Sequence, residues 1–91
     1  MPSLFMCHDE RGEGYIIEVE LPGVSKRNIE LSFSERGFCI RGERPDFIYD
    51  GCFPLAHEVD VEGVKAKFEH GLLRIYAPFK EAAKFKKVAV K

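Results

Sequence analysis

The sequence predicts an all-β protein, an antiparallel β-sandwich of five or six strands. Three observations carry this. Apolar side chains recur at every second position in one run after another, which is the strand period. Gly, Pro, Asn and Asp interrupt these runs every eight to twelve residues. Ninety-one residues make one domain, near the lower end of what supports its own core, and they contain no internal repeat or low-complexity tract.

The first clear strand is GYIIEVEL, with Tyr15, Ile17, Val19 and Leu21 on one face and Ile16, Glu18 and Glu20 on the other. Pro22–Val24 ends it, because Pro has no N–H for a ladder and Gly allows a tight bend. SKRN is a polar connection. IELSFS and FCIRGER then form a hairpin, with Ile29, Leu31 and Phe33 aligned on one arm and Phe38 and Ile40 on the other. Its turn, ERG, offers Gly37 for a positive φ.

PDFIYDGCFPLAHEVD reads as irregular loop or edge structure, since Pro45, Pro54, Asp46, Asp50 and Gly51 break its pattern. Its aromatics Phe47, Tyr49 and Phe53 are expected to anchor it. VKAKFE alternates again through Val64, Ala66 and Phe68, and His70–Gly71 is expected to form a type I′ turn. LLRIYAP returns with Leu73, Ile75 and Ala77 aligned, ended by Pro78. The tail reads either as one helical turn around Glu81–Lys86 or as a basic linker, followed by Val88 and Val90 alternating about Ala89. The expected organisation is a short segment 1–12, a domain 13–80 and a tail 81–91.

Composition narrows the function classes. Fourteen basic and fifteen acidic residues nearly cancel, which gives no support to a nucleic-acid or anionic-membrane partner. No apolar run approaches the roughly 20 residues that span a bilayer, and the first residues lack the pattern of a signal peptide. Cys7, Cys39 and Cys52 are an odd set without CxxC spacing, so inert thiols in a reducing cytoplasm are expected. His8, His57 and His70 match no metal-ligand spacing, and no cofactor motif is present. Cys52 with His57 is the one conceivable nucleophile–base pair, but no oxyanion-forming turn accompanies it, so no enzymatic activity is expected.

Two blocks are more specific. Glu20–Val24 (ELPGV), NIELSF and Ile40–Arg44 (IRGER) form the first, and VDVEGVKAKFEHGLLRIYAP forms the second. Together they resemble the α-crystallin domain of small heat-shock proteins, with Ala66, Gly71, Leu73, Ile75 and Pro78 in register and His70 where that family commonly has Asn. The resemblance implies an immunoglobulin-like sandwich and ATP-independent holding of unfolding client proteins. It implies a partner groove lined by Ile29, Leu31, Val64 and Ala66, into which a tail motif, here Val88 and Val90, would dock. Alternation alone would instead place those four residues in the core.

The resemblance also implies self-association, with a dimer expected and a larger assembly open. In bacterial and plant-type members a long loop exchanges a strand between subunits, but only eight residues separate Arg44 from Phe53 here. The family's usual Arg before the Val-Asp block is absent from CFPLAHEVD, and little sequence precedes residue 10. A reduced family member is the expectation. The related CS domain of co-chaperone adaptors is the alternative.

Overall fold

Alternation becomes burial on the central strands. In the computed structural model, which describes residues 3–80 and 87–91, the strands are β1 (Ser3–His8), β2 (Gly14–Glu20), β3 (Ile29–Ser34), β4 (Gly37–Arg44), β5 (Phe47–Pro54), β6 (Lys65–Glu69) and β7 (Leu72–Pro78). They form two antiparallel sheets, one ordered β1-β2-β7-β6 and the other β3-β4-β5. Tyr15, Ile17 and Val19 of β2, Phe38 and Ile40 of β4, and Leu73, Ile75 and Ala77 of β7 are buried between the sheets. Fully burying an aliphatic side chain of this kind stabilises by about 1.5–3 kcal/mol. The predicted sandwich is therefore the observed fold.

The chain crosses between sheets twice. After β2, Leu21 and Val24 are buried on either side of Pro22–Gly23, and a single 3-10 turn at Lys26–Asn28 leads into β3. After β5, buried Leu55 and Val59 carry the chain back, tied by Leu55 N–H to the Arg36 carbonyl (2.8 Å) and Val59 N–H to the Glu35 carbonyl (2.9 Å). A second 3-10 turn, Val61–Gly63, is capped by the Asp60 carboxylate, which accepts from Glu62 N–H at 3.1 Å.

Several local expectations are corrected or narrowed. Ser3–His8, read as a segment without a strand, is β1 and pairs with β2 from Ser3↔Glu20 to His8↔Tyr15. Of the loop or edge structure expected around residues 47–54, the edge is what forms: an eight-residue strand in continuous register with β4. Gly37 does not adopt a positive φ. Its lack of a side chain is needed for closeness, since a Cβ there would lie 2.9 Å from the Phe53 carbonyl oxygen. Finally, Cys39 and Cys52 are not separate buried thiols: they are exposed register partners joined as a disulfide.

The His70–Gly71 turn is as expected, with φ of 51° and 79°. The expected helical turn or linker around Glu81–Lys86 lies outside the described residues.

Candidate functional site

Among the described residues, each sheet ends in strands whose outer backbone groups have no partner strand, and β3 and β6 are two of these edges. On β3, Ile29, Leu31 and Phe33 point inward opposite Gly42, Ile40 and Phe38. All three are only half-buried while packing against the core. Phe33 stacks on Phe38 with centroids 5.1 Å apart, which fixes the end of the row.

On the other sheet, Val64 follows the 3-10 turn and Phe68 lies opposite Leu73 on β6. Both are again half-buried against the core. Ala66, opposite Ile75, is exposed. It borders a shallow depression of about 690 Å³ shared with Ile16, Leu72 and Tyr76. Thus Ile29, Leu31 and Val64 are neither sealed core nor free surface, while Ala66 on β6 is exposed. Val88 and Val90 are 82% and 96% exposed, so neither is packed on the sandwich.

Chemical groups elsewhere are tied into structure. Cys52 is bonded to Cys39, which removes it as a nucleophile for His57. The His57 backbone N–H donates to the Tyr15 hydroxyl at 2.9 Å, and its ring lies in an aromatic cluster with His8, Tyr15 and Phe79. Among the described residues no three His, Cys, Asp or Glu side chains converge as metal ligands. The Asp9 carboxylate accepts from Glu13 N–H (2.8 Å) and the Tyr76 hydroxyl (3.0 Å). Desolvation pushes its carboxyl up, but these hydrogen bonds outweigh it and hold it below the ordinary range. Desolvation and the Asp9 bond both raise the Tyr76 phenol. The ammonium of Lys80 donates to Glu35 at 2.9 Å, which raises its pKa.

Sequence reasoning did not delineate β1 or β5 as strands, and both are sheet edges as well. Phe5 of β1 and Phe47 and Ile48 of β5 are large apolar side chains left exposed.

Known proteins share this fold. The chain is 30% identical over 98 aligned positions to small heat shock protein C2 of Rickettsia felis, covering 90% of this chain and 64% of that relative. It is 36% identical over 97 positions to small heat shock protein C4 of the same organism, covering 89% of this chain and 60% of that one. The chain thus spans less than two thirds of the length of these relatives. Among solved structures, heat shock protein 16.0 from Schizosaccharomyces pombe superposes with a TM-score of 0.75 at 23% identity, covering 99% of this chain and 97% of that one. A small heat-shock protein from Xylella fastidiosa also gives 0.75, at 20% identity and 100% and 96% coverage. These likenesses concern the fold. The sequence model of the Hsp20/alpha crystallin family matches residues 8–91, nearly the whole sandwich and the tail beyond it, and the chain belongs to that family of small heat-shock proteins.

Proposed function

We propose that this protein is an ATP-independent holdase that binds non-native polypeptides along its edge strands and in the apolar margin formed by Ile29, Leu31, Val64 and Ala66. The supporting observation is the half-burial of Ile29 and Leu31 on edge strand β3 and of Val64 at the entry to edge strand β6. An unfolding chain offers what such a margin takes up, namely unpaired N–H and C=O groups together with alternating apolar side chains. Holding requires no reactive group and no nucleotide, only differential binding to the non-native state. The family is generally non-enzymatic, and we place this member with it.

Val88 and Val90 are the segment we assign to the margin of a neighbouring copy. A dimer is the unit proposed, with larger assembly built from repeated weak tail contacts. The working compartment proposed is the cytoplasm. The test is light scattering by a heat-labile client protein incubated with increasing amounts of the full chain. Suppression that saturates near stoichiometric ratios without ATP is expected. Unchanged scattering at several-fold excess would overturn the holdase and leave a module that docks a defined partner.

A further inference from the structure

Cys39 and Cys52 face each other directly in the β4–β5 register, with Cα atoms 4.0 Å apart and a bond between their sulfurs. Both are exposed on the outer face of the three-stranded sheet. On one side along that face stands the charged row Glu30, Arg41 and Asp50, with Arg41 and Asp50 paired at 3.6 Å. On the other the neighbours are small, with Ser32 beside Cys39 and a next row of Ser34, Gly37 and Pro54. These small neighbours line an open depression of about 390 Å³ around the sulfurs. Nothing bulky on that row blocks a small molecule from either sulfur.

The sheet does not depend on this bond for its register. β4 and β5 pair without interruption from Gly37↔Pro54 to Arg44↔Phe47. β5 is further held by the short turn at one end and by buried Leu55, bonded to the Arg36 carbonyl, at the other. Beneath the bond, Phe33, Phe38 and Phe53 form a packed aromatic row that stays in place on the inner face. An exposed disulfide on a scaffold held by other forces belongs to the labile class rather than the structural one.

We infer that Cys39 and Cys52 form a surface redox couple, a site of thiol–disulfide exchange with low-molecular-weight thiols. In opening, a small thiolate attacks one Sγ, the Sγ–Sγ bond breaks, and the electron pair leaves on the other cysteine, which takes a proton. A second small thiolate attacks the small-molecule sulfur of this mixed disulfide, that S–S bond breaks, and the protein sulfur leaves with the electron pair and takes a proton. Two protein thiols and one small disulfide result, and the two small thiols supply both electrons and both protons. Closure is the reverse, with the small disulfide as oxidant. In a reducing compartment the dithiol form prevails, and a shift of the thiol pool toward disulfide closes the bond. Cys7 takes no part, since it lies on β1 of the other sheet.

The experiment equilibrates the full-length Cys7→Ser chain with reduced and oxidised glutathione across a range of ratios. Acid quenching, alkylation and intact mass then count the free thiols, while circular dichroism follows the sheet. The expected result is a reversible change from two alkylated thiols to none, with the β-spectrum unchanged throughout. With Cys39→Ser added, oxidised glutathione should add once, at Cys52. The wild-type chain, mapped by proteolysis, gives the same reading if Cys7→Ser does not fold, with free thiols falling from three to one. Two free thiols at every ratio would overturn the inference, as would a bond that reduced glutathione opens only after urea has unfolded the sheet.

Discussion

The guanidinium of Arg44 donates to the backbone carbonyl of Pro22 at 3.0 Å, joining two turns 22 positions apart in the chain. This single contact ties the PGV bend that leaves β2 to the end of β4. The same guanidinium pairs with Asp46 at 3.0 Å and lies over the rings of Phe47 and Tyr49. Removing it leaves the Pro22 carbonyl without this donor and frees the start of the edge strand. Arg44→Ala is expected to lower stability by about 2 kcal/mol, the range of a hydrogen bond to a charged donor. Arg44→Lys should recover only part of that, because an ammonium lacks the planar fork. Urea unfolding checks both, and a loss under about 0.5 kcal/mol for Arg44→Ala would show the clamp to be unimportant.

Gly23 sits under that clamp with φ of +80°, and a Cβ there would lie 2.8 Å from Arg44 Nη1. Gly23→Ala combines a left-handed backbone penalty with displacement of the guanidinium, so a loss of about 1–2 kcal/mol is expected. The two effects share one contact, so Gly23→Ala with Arg44→Ala should cost less than the sum of the single changes. Full additivity would mean that the two turns are energetically separate. At the facing turn, His70 holds φ of 51° without being Gly or Asn. His70→Asn should therefore stabilise slightly, by about 0.5 kcal/mol, since Asn visits this region more readily.

How much could be read beforehand follows from which faces the strands cover. β2, β4 and β7 have one buried and one wet face, so their alternation announced them and their inward residues. β1 has apolar groups on both sides, Leu4 and Met6 on one and Phe5 and Cys7 on the other, so no alternation marks it. β5 hides its period at Gly51, an inward position whose missing side chain is covered by the neighbouring Phe53 ring; a Cβ there would lie 3.0 Å from that ring. The Cys39–Cys52 pairing became visible only with the β4–β5 register, which an odd cysteine count cannot supply. The candidate margin was named through a family likeness, because alternation cannot tell a half-buried edge row from a buried one.

Asp9 and Tyr76 give the fold a pH dependence at both extremes. The Asp9 carboxyl is held below its ordinary value of 3.8 in the folded chain. Its stabilisation is therefore present above the unfolded pKa and is lost as pH falls through the folded one. Tyr76 is raised above 10.0, so its contribution is full below that value and is lost as pH rises through the folded pKa. Asp9→Asn should flatten the stability curve on the acid side, and Tyr76→Phe on the alkaline side. Urea midpoints measured against pH check this, and wild-type slopes retained in both variants would refute the assignment.

The tail can be tested without disturbing the domain. Val88 and Val90 are almost wholly exposed, so Val88→Ala with Val90→Ala has no folded-state packing to remove within one chain. Its unfolding free energy at high dilution should match the wild type within about 0.5 kcal/mol, the usual effect of a surface change. If the valines dock on a neighbour, each buries roughly 1–2 kcal/mol of apolar side chain there, and the double change should lower the sedimentation coefficient at micromolar concentration. Ala66→Asp tests the receiving side: Ala66 is exposed, so the charge does not enter the core, yet it would sit where the tail is to lie. Both variants should shift assembly in the same direction, and combining them should add little beyond either alone. A wild-type chain that sediments as a monomer, unchanged by either substitution, would rule out docking between copies.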